Sequence, residues 1–228
     1  MSVRIKICGL LDWETIEAMD GLPVHEVGFV FAPSKRQVDK LKAAELIKAL
    51  YKLKSANNER PKAVGVFLNA SIEEVGDVLS EAPLDVIQLH GDESPAYCKA
   101  IKSKYPNKQV WKVFGIKNDA DTDTSISLEN DVESKLSGYK DFVDAILIDA
   151  PGGGSGEPFN WEVIAIYERI AGSYHLPLYV AGGLHSDNVG ELLNNYSPDG
   201  IDVSSGVETN GHKDIEKIRS FVRRVIER

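Results

Sequence analysis

Three side chains of this 228-residue chain combine a type that does chemistry with a place at the end of an apolar run or in the loop after one: Cys8 in KICGL, Arg36 in FAPSKRQV and Asp149 in LIDAPGGGSG. A thiol has a reference pKa of about 8.5 and an aspartate about 3.9, so unperturbed they are mostly neutral and mostly ionised near neutrality. Burial raises a carboxylate's pKa, and a cationic or helix-end environment lowers a thiol's. Brought into one pocket, such a pair yields a thiolate base and a protonated acid. The fork of Arg36 suits a carboxylate held bidentately. His90, in LHGDE, is a second candidate base, although its place just before a glycine suits a hydrogen-bonded structural role equally. Taken alone, a cysteine in an apolar strand reads more readily as a small hydrophobe than as a catalyst. Cys98, at core spacing on a helix, reads as packing.

A repeating pattern positions these residues. Short runs rich in Ile, Val and Leu read as strands: VRIKIC, VGFVF, KAVGVFL, LDVIQLH, QVWKVFG, FVDAILIDA, LPLYVAG and DGIDVSS. The later runs are nearly continuous in apolar residues, which implies burial on both faces. Between them, apolar residues recur at helical spacing in WETIEAM, KLKAAELIKALYKL, SIEEVGDVLS, SPAYCKAIKSKY, FNWEVIAIYERI, SDNVGELLNNY and KDIEKIRSFVRRVIER. Asp12, Ser71 with Glu74, and Ser186 are expected to cap helices. Some eight strand–helix repeats favour the α/β class and a single closed (β/α)8 TIM barrel, one domain over residues 1–228, rather than an open doubly wound sheet. The acidic, weakly periodic run at 117–141 is expected to be a solvated loop leading into a short fifth helix.

In such a barrel the active site lies at the C-terminal ends of the strands. Cys8, Arg36, His90 and Asp149 all fall there, with three glycine clusters. Arg36 and His90, with Gly154 in PGGGSG, Gly182 and Gly183 in AGGL, and Ser205 and Gly206 in SSGV, are candidates for substrate binding. Glycines after strands seven and eight fit a phosphate cradled by backbone N–H groups, and tight turns alone also explain them. Metal ligation has no support in the spacing. A net charge of −9 counts against nucleic-acid and anionic-membrane partners. No apolar run is long enough to span a bilayer, and the N-terminus lacks the features of a signal peptide. With two cysteines and no CxxC, the expectation is a cytoplasmic protein with reduced thiols. No exposed apolar stripe stands out, so a monomer is expected.

From residue 4 to about 222, the ordered segments KICGL, GFVFAPSKRQV, VGVFLN, VIQLHGDE, IDAPGGGSGEPFNW, VAGGLHSDNV and GIDVSSGVETNGHKD resemble the phosphoribosylanthranilate isomerase family of tryptophan biosynthesis. The resemblance implies an Amadori rearrangement of a small phosphoribosyl substrate, without metal or organic cofactor. It implies that Asp149 is the general acid that opens the sugar ring, that Cys8 is the general base at C2, and that Arg36 holds the anthranilate carboxylate. The substrate's phosphate is then expected on the N–H groups of Gly183, Ser205 and Gly206. Gly9, beside the thiol, is expected to leave the sugar carbon room to approach. Two departures stand out: Asn160 where an aspartate is common, read as a helix-cap exchange, and Ser155 where threonine is usual. Other phosphosugar barrels rely on paired aspartates or on lysine and glutamate, and neither arrangement has a cysteine ending strand one. A phosphate-binding barrel without catalysis would need none of Cys8, Arg36 and Asp149.

Overall fold

A computed structural model of the chain describes residues 2–54, 59–116, 125–150 and 160–227. The strands are β1 (Arg4–Cys8), β2 (Glu26–Val30), β3 (Lys62–Phe67), β4 (Val86–Leu89), β5 (Gln109–Gly115), β6 (Ala145–Asp149), β7 (Leu178–Val180) and β8 (Gly200–Val203). Helices follow them in turn: α1 (Trp13–Ala18), α2 (Lys40–Leu50), α3 (Ile72–Leu79), α4 (Pro95–Lys104), α5 (Ser125–Tyr139), α6 (Glu162–Ser173), α7 (Val189–Asn195) and α8 (Ile215–Ile226). Each strand pairs in parallel with the next, and β8 pairs back onto β1, closing the expected (β/α)8 barrel. Between β8 and α8 lie a 3-10 turn (Ser205–Val207) and a hairpin of β9 (Glu208–Thr209) and β10 (His212–Lys213). Among the described residues no helix is long and apolar enough to cross a membrane.

Side chains alternate along every strand, which divides the core in two. One set, including Ile5, Ile7, Val27 and Phe29, packs under the helices. The other set fills the barrel: Val64, Val86, Trp111, Val113, Ala145, Leu147, Tyr179 and Ala181. Trp111 on β5 and Tyr179 on β7 meet with ring centroids 4.5 Å apart, across the strand between them. This inner apolar cluster draws only on β3 to β7 and the residue after β7. On the β8–β1–β2 side the interior is ionic instead. Lys6 pairs with Asp202 at 2.7 Å, while Arg4 pairs with the buried Glu26, which also accepts from the Tyr179 hydroxyl.

Several local expectations agree with the structure and two need correction. Asp12 accepts from the Thr15 N–H, and Ser71 and Glu74 form a complete capping box. Ser186, in contrast, does not cap α7, which starts after Asn188. The Asn188 side chain folds back to accept from His185 N–H and donate to the Gly183 carbonyl. The fifth helix is not short: α5 has fifteen residues. Leu128, Val132 and Leu136, spaced by four, turn one face into the core. So narrow a stripe in a polar run is easily missed.

The end of the barrel opposite the strand C-termini carries a fourfold device. The residue just before each even-numbered strand accepts a hydrogen bond from the start of the strand before it. His25 Nδ1 takes the Ile5 N–H, Asp85 the Ala63 N–H, Asp144 the Val110 N–H and Asp199 the Leu178 N–H. Amides that would otherwise be buried without a partner are thereby satisfied. Asp85 also accepts both arms of Arg60 at 2.8 Å and the Tyr51 hydroxyl at 2.9 Å. Burial pushes its carboxyl up, but these donors outweigh that and hold it below the ordinary value. A depressed carboxyl stabilises the fold above its unfolded pKa, and the contribution fades as pH falls through the folded value. Asp85→Asn is therefore expected to destabilise by about 1–3 kcal/mol at pH 7 in urea unfolding, with the difference from wild type narrowing in acid.

Candidate active site

Cys8 is the last residue of β1, and its thiol points inward above Lys6, two residues back on the same face. The neighbouring strand makes room for it. A Cβ on Gly28 of β2 would lie 2.6 Å from Cys8 Sγ, so glycine is required there. The Cys8 carbonyl is held by the Ser204 hydroxyl at 3.0 Å, and Gly28 O accepts from Gly9 N–H at 2.8 Å. Burial pushes the thiol above its ordinary value, and the Lys6 and Lys213 ammoniums pull against that rise. Asp202 adds to the upward push.

Asp149 ends β6 and is buried, with His90 Nε2 3.4 Å from its Oδ2. Gly182 (φ +87°) closes over it: a Cβ there would meet the Ala150 backbone N at 2.5 Å and Asp149 Oδ1 at 3.0 Å. His90 is carried by the turn after β4, which is pinned from below. Lys112, on the outward face of β5, donates to the Gly91 carbonyl at 2.6 Å and pairs with Glu93 at 3.1 Å. Glu93 in turn accepts from the N–H groups of Asn69 and Gly91. Both charges of this pair are almost fully out of solvent.

Arg36 reaches the mouth from the loop after β2. Its Nε and Nη2 bind the two oxygens of Glu208 at 2.7 and 2.8 Å. The hydrogen bonds to Glu208 raise the guanidinium's pKa, so it stays charged. One edge of the fork is thus spoken for, and Nη1 makes no hydrogen bond among the described residues. Lys213 also binds Glu208 and donates to the Ser204 carbonyl at 3.1 Å. Burial lowers the Lys213 pKa despite Glu208. In Glu208, burial is outweighed by Arg36 and Lys213, and the carboxyl sits below its ordinary value.

Cys8, Arg36, His90, Asp149, Gly182, Gly183 and Ser205 all line one cavity of about 590 Å³ at the strand C-termini. Gly206 is not among the lining residues. It lies where a Cβ would come 1.9 Å from the Leu184 carbonyl oxygen, so its glycine lets the turns after β7 and β8 pack together. Gly154 and Ser155 lie outside the described residues. Gly9 has a role other than the one expected. With φ +86° and Arg36 Cδ 2.5 Å from its missing Cβ, it makes room for the arginine stem rather than for a ligand. Asn160 accepts from the Glu162 N–H at the start of α6, in keeping with a helix-end role.

Four residues at this site escape inspection of strand ends alone: Lys6, Gln88, Asp202 and Glu208. Gln88 and Asp202 line the cavity floor, and Gln88 Oε1 and Asp202 Oδ1 are buried acceptors without a hydrogen-bond partner among the described residues. A polar residue at an inward position of an otherwise apolar strand, as in VIQL and GIDV, is the signal that marks both. No group of three or more His, Cys, Asp or Glu side chains that could hold a metal occurs among the described residues.

A cavity at the strand C-termini of a closed (β/α)8 barrel, lined by a thiol, a guanidinium, an imidazole and a carboxylate, is the arrangement of an enzyme acting on a small molecule. The chain belongs to the N-(5'-phosphoribosyl)anthranilate isomerase family, whose profile matches residues 5–224. The isomerase of Brevibacillus brevis is 42% identical over 226 residues, covering 97% of this chain and 93% of the relative. Among solved structures, one of monomers generated from the dimeric isomerase of Thermotoga maritima has a TM-score of 0.76 at 31% identity, covering 99% of this chain and 100% of that one. An isomerase in complex with reduced 1-(o-carboxyphenylamino)-1-deoxyribulose 5-phosphate has a TM-score of 0.75 at 31% identity, with 99% and 100% covered.

The buried Lys112–Glu93 pair gives a direct test of how the His90 turn is held. Removing one partner leaves an uncompensated buried charge, so Lys112→Met is expected to lose about 3–5 kcal/mol in urea unfolding. The double variant Lys112→Met/Glu93→Gln should recover part of that loss.

Proposed function

We propose that this chain converts N-(5-phosphoribosyl)anthranilate to 1-(2-carboxyphenylamino)-1-deoxyribulose 5-phosphate, a step of tryptophan biosynthesis, by general acid–base catalysis. The observation that carries the reading is the placement of Cys8 on β1 and Asp149 on β6 in the wall of one cavity. The carboxyl of Asp149 gives its proton to the ring oxygen; the C1–O bond breaks and the nitrogen lone pair forms the C1=N bond of a protonated Schiff base. The Cys8 thiolate then takes the C2 proton, and the C–H electron pair becomes a C1=C2 bond while the nitrogen is neutralised. The resulting enolamine tautomerises to the ketone. Asp149 has lost one proton and Cys8 has gained one, so exchange with water restores both.

Around that chemistry, the free edge of Arg36 is assigned to the anthranilate carboxylate and His90 to steadying the Asp149 carboxylate. Backbone N–H groups of Gly183, Ser205 and Gly206 are assigned to the phosphate, and Gly182 and Gly154 to substrate binding more generally. Support comes from the two glycine turns packed side by side after β7 and β8, the usual phosphate position in such barrels. The single-domain reading rests on one barrel drawing strands from residue 4 to 203. A cytoplasmic site is supported by two free cysteines, and a monomer by the scatter of exposed Trp13, Leu41, Leu68 and Ile226 over different elements.

Turnover can be followed as loss of the substrate's anthranilate fluorescence. Cys8→Ala and Asp149→Asn are each expected to lower kcat by about 10²–10⁴-fold, and undiminished turnover in either removes that residue from the mechanism. Arg36→Met should act mainly on KM, because it removes a contact made equally to substrate and transition state.

A further inference from the structure

The reading of Cys8 as a base leaves open what steadies its thiolate in so closed a place. Directly beneath it, Lys6 is fully buried, which is rare for an ammonium and demands partners. Nζ donates to Asp202 Oδ2 at 2.7 Å, and Cys8, two residues on along the same inward face of β1, stands next above it at the cavity. Lys6 and Asp202 are also register partners where β1 meets β8, so the strand pairing that closes the barrel sets them side by side. Asp202 is itself at the cavity floor, with Oδ1 unpartnered among the described residues.

We propose that Lys6 is a positioning residue for Cys8: one buried ammonium serves two groups, and the thiolate and the Asp202 carboxylate compete for it. This rests on the assignment of Cys8 as the base and supplies the means by which it ionises. The other cations near the thiol, Arg36 from the β2 loop and Lys213 following the β9 turn, have a carboxylate partner in Glu208, which they share. Asp149 and His90 act on Asp202 from β6 and the end of β4. Gly28, from β2, brings no charge. Burial raises the Asp202 carboxyl, with Lys6 opposing and Asp149 adding to the rise. For Lys6, burial is overcome by Asp202 and Cys8, and its ammonium is held charged. The competition makes a distinctive forecast: removing the cation and removing the competing anion must move the thiol in opposite directions.

The test is the pH dependence of Cys8 alkylation by iodoacetamide in the ligand-free protein, read as the mass of the Cys8 peptide so that Cys98 does not interfere. Lys6→Met is expected to raise the midpoint by about one unit or more, slowing alkylation near neutral pH about tenfold. Asp202→Asn is expected to lower it, because Lys6 then serves the sulfur alone. A midpoint unmoved in Lys6→Met, or shifted the same way in both variants, overturns the proposal. If Lys6→Met does not fold, Asp202→Asn decides by itself, and a midpoint that stays or rises is the contrary result. Alkylation needs no substrate, so its outcome is separate from the turnover of Cys8→Ala that tests the base assignment. In turnover, the alkaline-rising limb of kcat/KM should follow the same two shifts, which a merely structural role would not produce.

Discussion

The ion pair between Lys6 and Asp202 lies where the barrel closes on itself, and much else depends on it. Two charges taken out of water are expensive, and they persist only with good geometry and further partners. Here the geometry is set by the strand register, since the two residues face each other across the β1–β8 seam. The consequence is an interior of two kinds. On the β3–β7 side, Trp111, Tyr179 and the aliphatic side chains fill the space as an ordinary core. On the other side Arg4, Glu26, Lys6 and Asp202 bring charge up to the floor of the cavity, under Cys8. A thiol in the apolar half would have no cation beneath it.

The two ends of the barrel divide the work between them. At the N-terminal ends of the strands, His25, Asp85, Asp144 and Asp199 tie strand starts to their neighbours in a fourfold pattern, and nothing there faces the cavity. At the C-terminal ends, contacts hold side chains in position instead. Glu208 orients Arg36, Lys112 and Glu93 hold the turn bearing His90, and Gly182 fits against Asp149. Glycines at positions 28 and 182 act by the same logic, each leaving the space that a catalytic candidate's side chain or backbone occupies.

The alternation of strand and helix was legible because buried parallel strands are nearly unbroken apolar runs, and Cys8 and Asp149 stand at the ends of two of them. The capping box at Ser71 was legible because its chemistry is local. Other features escape a linear reading because their partners are remote. Lys6 and Asp202 are 196 positions apart, and Arg36 and Glu208 are 172 apart. Gly9 looked like space for a ligand, yet the stem of Arg36, from another loop, fills it. The core stripe of α5 was hidden by its polar surroundings, and the cap expected at Ser186 was displaced when Asn188 turned its side chain to the Gly183 loop.

The central claim is that the Cys8 thiolate removes the C2 proton. Single-turnover kinetics with substrate deuterated at C2, followed across the pH range of the thiol's ionisation, tests it most directly. The account predicts a primary isotope effect on a step whose rate rises as Cys8 ionises and which is lost in Cys8→Ala. An isotope-sensitive step that persists at the wild-type rate in Cys8→Ala would contradict it.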